Sequence, residues 1–239
     1  MALAGAQAAE PARVSNVVIV SANAEWRVVK ERYPKAAYRK SPYGEYFLEN
    51  IAGRRVAFVH GGWGKISAAA SAQWAISRFK PRLIFNLGTC GGFEGAIARR
   101  QIILADKTIV YDIVEQMGDP QEAIDAYSTA IDLSWLPGPA PIPVLKTTLV
   151  SADRDILAAD VERLRKQYSA VAGDWESGAI AYVARRNGIR VLILRGVTDL
   201  VNPKGGEAYG NPDFFVQATQ GVMTALLDSL PAWLAFVKI

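Results

Sequence analysis

The chain has 239 residues, 51% of them hydrophobic and 21% charged, which is the composition of a globular protein and not of a disordered one. Its formal net charge of +4 is dispersed in short clusters such as Arg99-Arg100, which favours a solvated basic surface and argues against a nucleic-acid partner. The single cysteine, Cys90, excludes an intrachain disulfide. No apolar run reaches the roughly 18 residues of a membrane span, so we expect no membrane partner.

The N-terminal residues 1–12 are rich in alanine. They lack the charged n-region and the long apolar core of a signal peptide, although Ala6-Gln7-Ala8 resembles a cleavage site. We predict that residues 1–14 form a disordered lead and that residues 15–239 form a single domain. The expected location is the cytoplasm, and export is the alternative if an upstream signal peptide has been removed.

Apolar runs alternate with amphipathic periodicities along the rest of the chain. The runs predict strands at residues 17–21, 45–50, 55–60, 82–87, 102–105, 148–151 and 190–195. The periodicities predict helices at residues 24–33, 66–79, 156–168, 176–186 and 214–237. Asn23 is the predicted cap of the first helix, Pro231 is a candidate break in the last one, and residues 117–143 are predicted to be irregular.

This alternation of strands and helices predicts an α/β fold. Several of the strands are apolar throughout, which is typical of strands that are covered on both faces. We therefore expect a three-layer sandwich with a central mixed, mostly parallel twisted sheet flanked by helices.

Polar residues follow three of the predicted strands, at residues 21–25, at residues 89–92 and at Thr198-Asp199. Because ligands of such sheets bind beyond the carboxyl ends of the strands, we expect these clusters to meet at one pocket. Residues 88–92 are predicted to be a glycine-rich turn. Neither they nor residues 61–65 match a dinucleotide fingerprint or a P-loop.

Two acidic residues in this pattern are candidates for chemistry. Asp199 lies just past a predicted strand, where an Asp is often only a turn or cap residue. If its surroundings are apolar, burial raises its pKa and lets the carboxylic acid donate a proton near neutral pH. Glu176 lies in a predicted first helical turn. The helix dipole stabilises an acidic residue there, which would explain Glu176 without any functional role. Its two oxygens also suit the paired hydroxyls of a ribose.

His60 is the only histidine in the chain. A single histidine argues against a histidine-based nucleophilic triad and against a histidine-rich metal site, and we expect a structural role for His60. Cys90 lacks a histidine partner unless His60 lies close to it. We expect no metal and no organic cofactor.

Six segments together resemble the purine nucleoside phosphorylase/uridine phosphorylase superfamily and, within it, the methylthioadenosine/S-adenosylhomocysteine nucleosidases. In chain order they are SANAE at 21–25, GGWGK at 61–65, NLGTCGG at 86–92, VSADRDI at 150–156, GDWESGAIA at 173–181 and LRGVTDL at 194–200. The resemblance spans nearly the whole chain from Val17. It implies a small-molecule nucleoside substrate and a homodimer in which residues 106–143 help to close the neighbour's site.

The resemblance also implies a role for each site residue. Asp199 would protonate the purine at N7 as a general acid, and Glu25 would activate the attacking water. Glu176 would bind the ribose hydroxyls. The neighbouring Trp175 is a candidate to pack on the sugar, and the alternative for it is a core tryptophan. The implied base-binding residues are Cys90, Gly91, Asp155, Ile156 and Thr198.

Three positions depart from the pattern of these nucleosidases. Ala22 replaces a usual Met, Asp155 replaces an aromatic residue that stacks on the base, and Trp175 replaces a second Met. The base or the 5′ substituent can therefore differ from that of methylthioadenosine.

The sequence favours hydrolysis over phosphorolysis. A phosphorylase holds a phosphate dianion with arginines, and residues 21–25 and 85–88, which match the places of such arginines in related phosphorylases, contain none. We therefore predict a purine nucleosidase that releases the free base. The alternatives are a phosphate-dependent phosphorylase and a nucleoside-binding protein that has lost catalysis.

Overall fold

A computed structural model of the chain describes residues 13–238. Six helices lie within these residues, at Asn23–Arg32 (α1), Gly64–Phe79 (α2), Pro120–Ala126 (α3), Ala158–Tyr168 (α4), Ser177–Arg186 (α5) and Pro212–Phe236 (α6). Eleven strands lie there too, at Asn16–Val20 (β1), Arg39–Ser41 (β2), Gly44–Ile51 (β3), Arg54–His60 (β4), Leu83–Phe93 (β5), Ile102–Val110 (β6), Thr129–Ala130 (β7), Leu145–Ser151 (β8), Ala172–Asp174 (β9), Arg190–Asn202 (β10) and Gly205–Gly206 (β11).

The predicted strands and long helices are all present, and the differences lie at their ends. Asn23 is inside α1 and Ala22 is its N-cap, because the Glu25 side chain accepts the Ala22 N–H (3.1 Å) and the helix starts one residue earlier. Pro231 does not break α6, since apolar residues on both sides of it stay buried in the core. The segment 117–143, predicted to be irregular, contains α3 and β7.

The strands form one mixed sheet in the order β11-β10-β6-β8-β9-β5-β1-β4-β3-β2, with β7 attached to β6. Strand β10 also pairs with β5, so β5, β10, β6, β8 and β9 close into a ring. Among the described residues five strand pairings are parallel and six are antiparallel. The expectation of a mostly parallel sheet is therefore not confirmed.

Apolar side chains cover both faces of the central strands. Val17 and Ile19 of β1 belong to a buried cluster that includes residues of α2 and α5, while Val18 and Val20 belong to one that includes residues of α1 and α6. Successive side chains of a strand point to opposite faces, so β1 is apolar throughout because both of its faces are buried. This arrangement confirms an α/β fold with a central sheet flanked by helices.

The structure describes only the last residues of the predicted N-terminal lead. Val14 is buried and its N–H donates to the Phe79 carbonyl (3.1 Å), so this residue of the predicted disordered lead is part of the packed core, which corrects the prediction there. The rest of the predicted disordered lead, residues 1–12, lies outside the described residues. In the part of the chain from 13 to 238, no helix combines the length and the apolar character that crossing a bilayer requires.

Candidate active site

A cavity of about 480 Å³ opens at one rim of the closed ring of strands. That volume is in the range of small-molecule sites. Strands β5, β9 and β10 of the ring and the chain after β1 and β8 all contribute to its wall. Every site residue predicted from the sequence lines this one cavity: Glu25, Cys90, Gly91, Asp155, Ile156, Trp175, Glu176, Thr198 and Asp199.

Two of the polar clusters lie inside strands and not after them, which corrects the prediction. Strand β5 continues through residues 88–92, which were expected to form a turn, and β10 continues through Thr198-Asp199. The pairing of β10 with β5 passes from Val197 opposite Cys90 to Asp199 opposite Gly91. Thr198 is therefore the extra residue of a β-bulge, which re-aims neighbouring side chains. This explains how both Thr198 and Asp199 line the same cavity.

Arg195 of β10 is fully buried beneath one end of the cavity. Its guanidinium nitrogens lie 2.9 Å from Asp174 Oδ2, 3.5 Å from Glu25 Oε1 and 3.6 Å from Glu176 Oε2. Its N–H groups also donate to Ser177 Oγ, Asn86 Oδ1 and the Thr89 carbonyl. One cation thus holds three carboxylates in place, and we call Glu25, Asp174, Glu176 and Arg195 the ribose-end cluster.

Glu25 is buried at the third position of α1, with both carboxylate oxygens engaged. Its Oε1 accepts hydrogen bonds from the Thr89 N–H (2.6 Å) and the Thr89 hydroxyl (2.8 Å). Among residues 13–238, the only donor to its Oε2 is the Ala22 N–H (3.1 Å). A carboxylate oxygen has two lone-pair sites, so Oε2 retains one for a water molecule or a ligand hydroxyl.

Glu176 is the N-cap of α5 and is almost completely buried. Its Oε1 accepts the Gly64 N–H at 3.2 Å, which ties the start of α2 to the cavity. Burial raises the pKa of the Glu176 carboxyl to about 8, with Asp174 and Glu25 adding to the rise and the Arg195 guanidinium opposing it. The surroundings of this side chain therefore favour its protonated form at neutral pH.

Asp199 lies at the other end of the cavity and is also buried. Within residues 13–238 no lysine or arginine pairs with it, and its Oδ1 accepts a hydrogen bond from the Thr198 hydroxyl (2.7 Å). Burial raises the pKa of Asp199 against the hydrogen bonds from the Thr198 side chain and the Ala208 backbone, and the negative side chains of Glu207 and Asp155 raise it further. The environment thus favours the protonated acid that the sequence predicted.

Ile156, Asp155 and Tyr209 form the wall beside Asp199. The Tyr209 hydroxyl donates to the Ile156 carbonyl at 2.8 Å, so this predicted base-reading group has a protein partner in the empty site. Asp155 is exposed at the cavity rim. We call Asp199 with these three residues the base-end wall.

Comparisons with known proteins show the family of the chain. The model of the phosphorylase superfamily matches residues 16–231. The chain belongs to the phosphorylase superfamily. A 5′-methylthioadenosine/S-adenosylhomocysteine nucleosidase of Halalkalibacterium halodurans is 26% identical over 234 residues, which cover 92% of this chain and 96% of the relative.

Solved structures show the same superfamily fold. The 5′-methylthioadenosine/S-adenosylhomocysteine nucleosidase of Neisseria meningitidis, in complex with methylthio-immucillin-A, superposes with a TM-score of 0.72 at 20% identity, covering 92% of this chain and 100% of the other. The Arabidopsis thaliana 5′-methylthioadenosine nucleosidase superposes with a TM-score of 0.74 at 22% identity, covering 95% and 97%.

Neither Cys90 nor His60 is placed to act as a nucleophile or a base in the cavity. Burial raises the pKa of the Cys90 thiol well above its usual range, so Cys90 is not a thiolate nucleophile. His60 stacks on Trp26, with ring centroids 5.2 Å apart, and is not among the residues that line the cavity. Between residues 13 and 238 no group of three or more His, Cys, Asp or Glu side chains could hold a metal ion.

Sequence reasoning missed Arg195 and Tyr209, and it placed Thr89 at the pocket without foreseeing its hydrogen bonds to Glu25. A signal for Arg195 existed, because it ends the apolar run RVLILR and a charge in such a strand must be paired when it is buried. Thr89 and Tyr209 act through contacts between segments far apart in the chain, which no local pattern reveals.

Proposed function

We propose that this chain hydrolyses the N-glycosidic bond of a purine nucleoside. The observation that carries the proposal is the contrast within one nucleoside-sized cavity. A buried acid without a cationic partner, Asp199, lies at one end, and a carboxylate cluster around one guanidinium lies at the other. Glycosidic cleavage needs both an acid for the leaving group and negative charge beside the sugar.

The base-end wall supplies the acid. As the bond between C1′ and N9 breaks, its electron pair passes to the purine, and Asp199 transfers its proton to N7 of the departing base. The pKa shift of Asp199 matters here, because a carboxyl group that kept its ordinary pKa would be ionised at neutral pH and would have no proton to give.

The ribose-end cluster supplies the nucleophile and the charge. Positive charge develops on the sugar as the bond breaks, and the surrounding carboxylates stabilise it. A water held by the free lone pair of Glu25 Oε2 adds to C1′ and gives its proton to Glu25. Glu176 binds the ribose hydroxyls, which favour its ionised form when they donate hydrogen bonds to it.

The same cluster argues against phosphorolysis. Three carboxylates surround Arg195, so its positive charge is already compensated. The cavity-lining Arg154 pairs with Asp160 and stacks over Tyr111. A phosphate dianion beside the sugar would therefore meet a net negative environment, whereas a neutral water would not.

The names of the relatives suggest the substrate class. The nucleosidase of Halalkalibacterium halodurans and the nucleosidase structure from Neisseria meningitidis are named for 5′-methylthioadenosine and S-adenosylhomocysteine. We propose an adenine nucleoside of this kind as the substrate, with no metal or organic cofactor in the reaction.

We also propose a three-layer arrangement of the sheet and its helices, and a homodimer. Large apolar side chains at Ile66, Val114 and Met117 are 84%, 77% and 96% exposed, which supports burial against a second copy. Light scattering at micromolar concentration should give the mass of two chains, and the mass of a single chain would contradict the dimer.

The chain is incubated with a panel of purine nucleosides, with and without added phosphate. Chromatography then measures the free base that is released. We expect release of free base and free sugar in phosphate-free buffer. If base release requires added phosphate, the chain is a phosphorylase and the proposed hydrolysis is wrong. Binding of nucleosides without any release would leave a binding protein that has lost catalysis.

A further inference from the structure

Basic side chains gather at the rim of the sheet that lies opposite the cavity. Strand β5 reaches the cavity with its carboxyl end, so its start at Leu83 lies at the far rim. The pairing with β1 places Val56 of β4 and Leu83 of β5 on either side of Asn16. The residues that precede them, Arg55 and Arg82, are both exposed. Since neighbouring strands lie about 4.8 Å apart, the backbones at these two arginines are about 10 Å apart.

Helices α2 and α5 both run from the cavity to this rim. They begin beside the cavity, where the Gly64 N–H donates to Glu176, and each leads through a short connection into the start of a strand. The strand that follows α5 starts with Arg190 directly beside Leu83. The ends of the two helices therefore add four basic side chains to the rim: Arg78, Lys80, Arg185 and Arg186. We call these four, together with Arg55 and Arg82, the basic rim.

The fold changes what the distribution of charge implies. Along the sequence these residues form short clusters spread from position 55 to position 186, and such dispersion argued against a nucleic-acid partner. In the structure they share one rim, and none of them takes part in an ion pair among residues 13–238. The helix dipole explains basic residues in a last helical turn, but it does not explain Arg55 and Arg82 at strand starts.

The composition of the basic rim favours phosphate groups as its ligand. Five of its six side chains are arginines, whose planar guanidinium binds a phosphate through two parallel hydrogen bonds. Among the described residues, the segments 54–55, 78–82 and 185–190 carry no exposed large apolar side chain. A membrane-binding surface buries apolar side chains in the lipid, and a single-strand site stacks bases on aromatic rings. A duplex presents phosphates and needs neither of these features.

We propose that the basic rim binds the phosphate backbone of a nucleic-acid duplex without reading its sequence, and that this binding is separate from the activity of the cavity. Phosphate contacts position a protein on a duplex and carry no sequence information directly. Helix α2 has 16 residues and is about 24 Å long, so a bound duplex leaves the cavity open. Ile66, proposed above for the dimer contact, lies in the first turn of α2, so the basic rim stays accessible in the dimer.

The test is fluorescence anisotropy of a labelled DNA duplex with the full chain at increasing KCl concentration. We expect a Kd of about 10⁻⁶–10⁻⁴ M near physiological salt. If all six side chains contact phosphates, the logarithm of the association constant should fall with the logarithm of salt concentration with a slope of about −5. Arg185→Gln combined with Arg186→Gln should weaken binding and reduce this slope by about 2, and Arg82→Gln should reduce it by about 1.

The matched control removes the same charge from another place. Arg99→Gln combined with Arg100→Gln changes an exposed pair at the cavity side, where the Arg100 N–H donates to the Val197 carbonyl. We expect this control to keep the affinity and the slope of the unmodified chain.

Three results would overturn the proposal. The first is absence of binding to the duplex at low salt. The second is an equal effect of the two double variants, since binding would then depend on net charge and not on the basic rim. The third is binding to anionic phospholipid vesicles without binding to the duplex. The measurement does not involve base release, so its outcome is independent of the proposed hydrolysis.

Discussion

The two ends of the cavity use the same kind of side chain in opposite ways. At the ribose end, Glu25 and Asp174 lie around the guanidinium of Arg195 and accept hydrogen bonds from hydroxyl and backbone N–H donors. At the base end, Asp199 is hydrogen-bonded to the Thr198 hydroxyl and the Ala208 backbone, pairs with no lysine or arginine among the described residues, and has its pKa raised by burial. The chemical role of a carboxyl group is thus set by what surrounds it, so one cavity can hold both an acid and a charge stabiliser.

The ribose end depends on one buried cation, and its removal should have the largest effect. Arg195→Met leaves the buried carboxylates of Glu25 and Asp174 without their counter-charge, which typically costs about 3–5 kcal/mol of unfolding free energy. Urea denaturation measures the loss. The control is Arg190→Met, because Arg190 is exposed on the same strand and stacks over Trp135. A loss no larger than that of the control would show that Arg195 does not hold the cluster together.

The second largest loss of stability is expected at Gly88, which leaves room for the Arg195 side chain. A Cβ at Gly88 would lie 2.0 Å from Arg195 Nη1 and 2.8 Å from Glu25 Oε1, so Gly88→Ala must displace the cluster. We expect a loss of about 1–3 kcal/mol in unfolding free energy, the usual cost of overpacking, together with a loss of base release. Gly221→Ala is the matched control, since a Cβ there meets nothing within 4 Å and alanine favours the helix. Unchanged stability and turnover in Gly88→Ala would contradict the described geometry.

The smallest effect is expected at the base end, where Asp155→Asn should shift the pH dependence of base release. The Asp155 side chain raises the pKa of Asp199, so Asp155→Asn should lower that pKa. Base release requires protonated Asp199 and falls as pH rises through its pKa, so the fall should come at a lower pH in Asp155→Asn. A profile of kcat/KM against pH measures the shift, with the exposed Asp106→Asn as control. A fall at the same or a higher pH would mean that Asp155 does not act on Asp199.

The sequence located the beginnings of the site strands better than their ends. The apolar runs at 82–87 and 190–195 were confirmed as strands, but glycine and polar residues are poor strand formers and hid the continuation of β5 and β10. These residues are strand because β5 pairs with β10 and β9 in the closed ring. Pairing between segments so far apart in the chain leaves no periodic signal, so neither the ring nor the bulge at Thr198 could be predicted.

The predicted site residues depended on different kinds of information. The motifs that resemble known nucleosidases led to Glu25, Glu176 and Asp199, and all three line the cavity. The pairing of Arg195 with Glu25, Asp174 and Glu176 required the packed structure, because these partners come from α1, β9 and the start of α5. The tertiary contacts therefore decide which charges meet, while the sequence pattern only proposes the candidates.

The separate roles of Asp199 as the acid and of Glu25 as the activator of water can be tested with two substrates and two variants. A purine nucleoside needs a proton on its leaving group, whereas a nitrophenyl riboside releases a stable anion and needs none. Asp199→Asn should lose a factor of about 10²–10⁴ in kcat on the purine nucleoside but little on the nitrophenyl riboside. Glu25→Gln should lose activity on both, because both require the attacking water. Equal losses on the two substrates in Asp199→Asn would contradict the assignment of Asp199 as the acid.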